Sequence, residues 1–219
     1  RKLNMLYNTY DFFTMYASVD NYEAEYGKVP SSENPMDRWI LSKLQGVIKS
    51  AADGMDAFVL NDATRPLIEF LDDLSNWFVR RSRKRFWKSE NDGDKLAAYD
   101  TLYFVLVEYS KLLAPFAPFM AEDLFHKLTG KESVHLEDYP QQNPELVYAT
   151  LETEMDDVRG FITEGLSLRA KAQMKVRQPL TSVSLPTCVD YLQDVVKEEL
   201  NVKKVILGAN EVSLDLEIT

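Results

Sequence analysis

Cysteine is nearly absent from this chain, since Cys188 is the only one among 219 residues. A single thiol excludes an intrachain disulfide, and its scarcity favours a reducing, cytoplasmic compartment. Together with only two histidines, His126 and His135, it provides no credible ligand set for a metal ion, so we expect no metal site. The sequence has no run of 18 apolar residues, which excludes a transmembrane helix, and it shows no signal peptide.

Catalytic motifs are missing as well. The sequence lacks a glycine-rich phosphate loop, a pairing of nucleophile and base, and metal-ligand spacing. Acidic pairs such as Asp72-Asp73 and Glu198-Glu199 occur within helical patterns, where a solvated face or an ion pair explains them better than acid–base catalysis. We therefore expect no catalytic residue and no cofactor in this chain. Because it does not begin with methionine, we expect it to be part of a longer protein.

Glycine is scarce too, at 8 residues, and apolar residues recur mostly at helical spacing, so the fold is predicted to be mainly α. Asn34 and Pro35 have the pattern of an N-cap followed by a first helical residue, and Gly130 has that of a helix-ending glycine. Pro66 is compatible with a helix only in its first turn or at a kink. Helices are predicted over about residues 3–17, 35–55, 61–88, 92–113, 118–128 and 145–171, with a cap in Asn91–Asp94.

After Gln178-Pro179 the pattern changes from helical to mixed. Strands are predicted over residues 180–185, 202–207 and 212–218, and a helix over residues 189–200, with the turn Gly208–Asn210 joining the last two strands. The predicted architecture is a helical bundle over residues 1–178 and a small α/β subdomain over residues 179–219.

One short segment departs from the charge of the rest. The chain has a net charge of −10, yet Trp77–Lys88 contains six positive charges and no negative one. Cations neutralise phosphates, and aromatic and guanidinium planes stack on unpaired bases, so single-stranded RNA is the favoured ligand. The dipole at a helix C-terminus stabilises one or two cations. It is a poor explanation for six cations with no acidic residue among them.

Helical phase divides this segment into two sets. At about 100° per residue, Arg81 and Arg85 fall within about 20° of Leu74, the centre of the buried face. Inward arginines need carboxylate partners, so we expect these two to orient the surface through ion pairs. The outward set is predicted to contact RNA, the cations at phosphates and the tryptophan at a base: Arg80, Arg83, Lys84 and Trp87.

Two alternatives remain open at this point. A second group of cations, including Arg169 and Lys171, lies where the sixth helix ends, and helix capping explains it as well as binding does. Lys175 and Arg177 are its candidate RNA contacts. Exposed Trp and Phe beside Arg also describe a protein hot spot, so a helical bundle that docks a protein partner is the alternative function.

Six segments of the chain share a pattern with one known family. They are residues 8–17, Met36–Leu44, Leu74–Trp87, Leu113–Glu122, Ser133–Pro140 and Lys175–Leu180. Together they resemble the anticodon-binding region of isoleucyl-tRNA synthetases, a class I aminoacyl-tRNA synthetase family. The most specific is Leu74–Trp87, because valyl and leucyl relatives share the bundle but differ at its Arg-Arg-Ser-Arg run. The resemblance covers about residues 3–185.

The resemblance implies a helical bundle of the class I synthetase anticodon-binding type, which binds the anticodon stem-loop of an isoleucine tRNA. The enzymes of this family activate isoleucine with ATP and Mg²⁺ and transfer it to tRNA. Their signatures His-Ile-Gly-His and Lys-Met-Ser-Lys-Ser are absent here, as is an editing domain, so this chain alone is expected to be catalytically inactive. A four-cysteine zinc element of some bacterial members is also missing. We expect a monomer.

Overall fold

The computed structural model describes residues 2–87 and 92–218. The chain divides into two compact units that meet in sequence between Tyr148 and Ala149. This division falls earlier than the boundary predicted after residue 178. The reason is that the long helix following Tyr148 packs with the helix and strands near the C-terminus, and it therefore belongs to the second unit.

The first unit is a bundle of helices. They are α1 (Lys2–Asp20), α2 (Pro35–Asp56), α3 (Leu60–Asp72), α4 (Arg80–Trp87), α5 (Gly93–Leu113) and α6 (Pro118–Thr129), with 3₁₀ turns at Val134–Leu136 and Pro144–Leu146. Between α3 and α4 the chain continues as a π-helix, Asp73–Val79, so residues 60–87 run as one unbroken helix. The predicted placement of the basic segment at the end of this helix is confirmed, although Lys88 lies outside the described residues.

The helix ends follow local chemistry. Asn34 accepts a hydrogen bond from the N–H of Met36 and caps α2, as predicted. Asp92 caps α5 in the same way, whereas Asn91 lies outside the described residues. Gly130 ends α6 with a φ of 68°, the left-handed conformation that glycine adopts without strain. Pro66 lies in the second turn of α3 and not in the first, and there it removes one backbone hydrogen bond.

The core of the first unit lies between α2, α3, the π-helix and α5. Apolar side chains at helical spacing meet there, which is the arrangement that buries the stripes predicted from the sequence. Several of them are fully buried: Trp39, Leu44, Leu74, Phe78, Leu102 and Leu106. None of the helices in the described part of the chain is long and apolar enough to span a bilayer.

The second unit contains α7 (Ala149–Lys171), α8 (Gln193–Leu200) and a sheet of β1 (Leu180–Leu185), β2 (Val202–Leu207) and β3 (Ser213–Ile218). The strand order is β2-β1-β3, with β1 parallel to β2 and antiparallel to β3. The two strands that Gly208–Asn210 connects therefore do not pair with each other, because β1 lies between them. Two predicted helix starts also shift: residues 144–146 and 190–192 are 3₁₀ turns that precede α7 and α8.

The close approach of α2 and α3 depends on Gly54. A Cβ at this position would lie 2.5 Å from the backbone nitrogen of Ala63, a contact that backbone movement alone can relieve. We expect Gly54→Ala to lower the free energy of unfolding by about 1–3 kcal/mol through overpacking, as measured by urea denaturation. Gly46→Ala in the same helix is the matched control, because a Cβ there meets nothing within 4 Å. It should raise stability by up to about 1 kcal/mol, and equal effects of the two changes would contradict the close approach.

Candidate nucleic-acid interface

The exposed cations of α4 form a surface that we call the α4 basic surface, defined by Arg80, Arg83, Lys84 and Trp87. All four residues are exposed to solvent, and Trp87 is 59% exposed. The segment from Trp77 to Trp87 contains no acidic residue. The outward orientation predicted from helical phase is therefore confirmed for these four residues, and their contact with RNA stays a prediction.

Aromatic rings support the cations of this surface. The guanidinium of Arg80 lies 5.7 Å and that of Arg81 lies 5.6 Å from the ring centroid of Trp77, which is 9% exposed. The guanidinium of Arg83 lies 5.9 Å from the ring centroid of Phe12 on α1. A cation–π contact of this kind attracts a guanidinium to the ring and limits its motion.

Arg85 anchors α4 from the opposite side. The residue is 9% exposed, and its Nη1 and Nη2 donate to the two carboxylate oxygens of Asp37 at 2.6 and 2.8 Å, the bidentate geometry that suits a guanidinium. Its Nε donates to Oδ2 of Asp94 at 3.0 Å, and Nη2 also donates to the Asp94 carbonyl oxygen at 2.9 Å. The predicted inward direction and ion pairing of Arg85 are confirmed.

The two carboxylates that hold Arg85 begin two different helices. Asp37 lies in the first turn of α2, is fully buried, and accepts a further hydrogen bond from the hydroxyl of Ser32 at 2.6 Å. Asp94 lies in the first turn of α5 and accepts from the side-chain amide of Asn34 at 3.1 Å. Burial acts to lower the pKa of Arg85, but hydrogen bonds and charges, first of Asp37 and then of Asp94, outweigh it and raise that pKa. The guanidinium therefore stays charged.

The π-helix explains the one displacement within the predicted sets. Arg81 is half-buried and lies at the edge of the buried face, whereas Ser82 and Phe86 are 1% exposed and occupy its centre. A π-helix closes its hydrogen bonds five residues apart instead of four, so each residue turns the helix by less than the 100° assumed for an α-helix. Five such residues, Ser75–Val79, separate Leu74 from α4 and rotate it relative to Leu74. Arg81 therefore lies at the edge of the buried face and not near its centre, where the helical phase had predicted it.

The second group of candidate cations lies in the other unit. Lys175 and Arg177 are both exposed in the loop between α7 and β1. The structure thus places six of the eight candidate site residues on α4, among them the orienting residues Arg81 and Arg85, and two in the second unit. Arg169, which the sequence groups with Lys175 and Arg177, points inward and is 1% exposed.

Sequence patterns missed the residues that support the α4 basic surface. Phe12 beneath Arg83 and Asp37 beside Arg85 are distant from α4 in the chain, the latter by 48 residues. The one available signal was that inward arginines require carboxylates, which identifies the kind of partner and not its position. In the described residues no group of three or more His, Cys, Asp or Glu side chains is arranged to hold a metal ion.

Comparison with known proteins points to one family. Residues 37–185 match the family described as the anticodon-binding domain of tRNA ligase. The isoleucine–tRNA ligases of Clostridium tetani and Clostridium novyi are 41% and 43% identical to this chain over 95% of its length. That of Dehalococcoides mccartyi is 44% identical over 93% of the chain. The alignments cover 21% of each relative, so the chain spans about one fifth of their length.

A solved structure has a similar fold. It is the crystal structure of the ternary complex of Agrobacterium radiobacter K84 agnB2 LeuRS with tRNA and LeuAMS. The TM-score is 0.50 at 23% sequence identity, over 66% of this chain and 16% of that chain. This likeness concerns the fold alone, and it confirms the predicted fold class of a helical bundle of the class I synthetase type.

The buried Arg85 pairing leads to a stability prediction. Arg85→Ala leaves the carboxylate of Asp37 buried without its cation, and we expect it to lower the free energy of unfolding by about 3–5 kcal/mol. Lys84→Ala, the adjacent exposed cation, should change it by less than about 0.5 kcal/mol. Urea denaturation of the two variants measures the difference. Similar values for the two would show that Arg85 does not anchor the helix.

Proposed function

Because the chain belongs to the family of anticodon-binding domains of tRNA ligases, we propose that it binds the anticodon stem-loop of an isoleucine tRNA through the α4 basic surface. The observation that carries this proposal is the outward set of cations, Arg80, Arg83 and Lys84, beside the exposed indole of Trp87. A chain of net charge −10 concentrates them on one helix that contains no acid.

The chemistry of an anticodon loop matches this surface. Its backbone presents closely spaced phosphates, which lysine and arginine neutralise with release of bound counterions. Its unpaired bases present flat faces that stack on aromatic rings, with about 1–3 kcal/mol per base. The cations of α4 therefore bind phosphates, and Trp87 stacks on a base or limits its position.

The contacts that hold the α4 basic surface favour binding because they restrict its side chains before the RNA binds. A flexible cation loses side-chain entropy of about 0.5–1.5 kcal/mol when a ligand immobilises it. Arg80 makes a cation–π contact with Trp77 and donates from Nε to the carbonyl oxygen of Asn76 at 2.9 Å, and Arg83 makes a cation–π contact with Phe12. Arg85 fixes the helix that carries them. Part of the ordering cost is thus met before the RNA arrives.

The relatives are named isoleucine–tRNA ligases, and we propose that this chain is part of a longer protein of that kind, which would use ATP and Mg²⁺ to join isoleucine to its tRNA. The chain supplies RNA binding to that reaction and is inactive alone, because it does not contain the family's ATP-binding signatures. We propose a cytoplasmic location, in keeping with the single, buried cysteine, which forms no disulfide, and a monomeric state.

A second candidate function rests on exposed aromatic residues away from α4. Phe58 and Phe119 are 92% and 91% exposed, and exposed aromatic side chains are typical anchors of protein interfaces. A protein partner of the bundle would use such residues. The two functions differ in their response to salt, because an aromatic anchor depends little on counterion release.

Substitution of the three outward cations tests the RNA site. We expect R80A/R83A/K84A to weaken binding of an isoleucine tRNA by roughly tenfold to a hundredfold, from about 0.5–1 kcal/mol for each exposed charge contact. Binding is measured by fluorescence anisotropy, and far-ultraviolet circular dichroism shows that the fold is retained. K49A/R65A/K127A is the matched control, because it removes three exposed cations of the same unit that pair with acids four residues away. Equal affinity of the two triple variants at low salt would contradict the assignment.

The salt dependence of binding separates RNA from a protein partner. A plot of log K against log salt should fall steeply for the unchanged chain, and R80A/R83A/K84A should reduce the slope by about 0.7–0.9 for each phosphate that the variant no longer neutralises. Titrations between about 50 and 200 mM KCl measure both slopes. A shallow slope that the substitutions leave unchanged would contradict phosphate binding at the α4 basic surface.

A further inference from the structure

Two stretches of the second unit contain no acidic residue. They are residues 165–189 and 200–210, and all other parts of this unit are rich in Asp and Glu. The first stretch carries Arg169, Lys171, Lys175 and Arg177, and the second carries Lys203 and Lys204. Six cations without an acid in a chain of net charge −10 require a structural or functional reason.

Asn201 brings the two stretches together. Its backbone carbonyl oxygen accepts the N–H of Leu180 at 3.0 Å, and its side-chain amide donates to the carbonyl oxygen of Val176 at 2.9 Å. The residue has a φ of 47° and ends α8, so β2 starts directly beside the loop of residues 172–178. The cations of the loop and those at the start of β2 therefore belong to one region of the second unit.

Arg169 fixes the backbone of that loop. Its Nη1 donates to the carbonyl oxygen of Lys175 at 3.0 Å, and its Nη2 donates to those of Gln178 and Asn201 at 3.0 and 3.1 Å. Within the described part of the chain no carboxylate lies within ion-pair distance of this guanidinium, and burial lowers its pKa. A buried cation is costly when no anion pairs with it. The hydrogen bonds of Arg169 therefore fix the shape of the loop, and they leave its positive charge unneutralised beneath the loop.

The other cations of this region, unlike Arg169, are exposed to solvent. Lys175 and Arg177 are exposed on the loop, and Lys203 and Lys204 are exposed on β2, an edge strand of the sheet. Lysines on an edge strand also discourage strand pairing between molecules, which accounts for Lys203 and Lys204 alone. It does not account for the clamped loop.

We propose that Lys175 and Arg177 form a second phosphate-binding surface, that Lys203 and Lys204, whose side chains point to opposite faces of β2, border it along the edge of the sheet, and that Arg169 is its positioning residue. The ligand class is the sugar–phosphate backbone of RNA, so the inference rests on the proposed function and adds a site in the second unit. A planar guanidinium can hold three carbonyl oxygens at once, whereas an ammonium cannot reproduce its fork. The clamp orders the loop before binding and thereby lowers the entropic cost of each phosphate contact.

Removal of the loop cations tests the surface. In the 219-residue chain, K175A/R177A should reduce the slope of log K for tRNA against log salt by about 1 for each cation, and K203A/K204A should act in the same direction. R159A/K197A is the matched control, because it removes two cations of the same unit outside the acid-free stretches. A slope in K175A/R177A that equals that of the control would overturn the second surface. Failure of the unchanged chain to bind tRNA would overturn the proposed function as well.

Arg169→Lys tests the positioning role, since it retains the charge and removes the fork. In the otherwise unchanged chain, R169K should lower the slope of log K for tRNA against log salt. In the K175A/R177A variant, where the loop cations are already absent, R169K should cause no further decrease. A role in stability alone would leave the slope unchanged, and thermal denaturation of each variant measures the stability separately. An unchanged slope in R169K, or a decrease of equal size in both backgrounds, would overturn the positioning role. If R169K does not fold, R169Q is measured in the same cycle with the same two outcomes.

Discussion

The buried pairing of Arg85 with Asp37 and Asp94 is the interaction on which the α4 basic surface depends. It joins the end of one helix to the first turns of two others, and each carboxylate also favours the N-terminus that carries it. Phe86, the next residue, packs edge-on against Phe12 and Tyr99. A polar anchor and an apolar one therefore fix the rotation of α4, and with it the direction of every cation on the outer face.

Both units use an inward arginine to hold a segment whose other cations point outward, but the acceptors differ. Arg85 donates to two carboxylates, which more than neutralise its charge, so its contribution is geometric. Arg169 donates to three backbone carbonyl oxygens, which leave its charge in place. A guanidinium buried among carbonyl dipoles adds positive potential beneath the loop at low dielectric, where its field is least screened. Arg169 thus combines a geometric role with an electrostatic one.

The sequence was sufficient for the features that depend on local periodicity. It predicted the helices of the first unit, the three strands, and the outward set on α4 to within a few residues. It failed where a distant or irregular element decides the outcome. A π-helix cannot be recognised from an apolar stripe, so the phase of Arg81 was displaced. The partner of Arg85 lies 48 residues away, and the assignment of α7 to the second unit depends on packing against α8 and β3.

The contrast between local basic surfaces and an acidic whole has its own physical consequence. Salt at physiological concentration limits the reach of exposed charges to about 8 Å. A phosphate close to α4 therefore lies within reach of Arg80, Arg83 and Lys84, whereas a polyanion placed away from the acid-free stretches meets mostly Asp and Glu. Repulsion by the remaining surface disfavours non-specific coating by nucleic acid. On the proposed function, RNA binding is thereby restricted to ligands whose phosphates and unpaired bases fit the short acid-free segments, which makes the shape of the RNA part of the recognition.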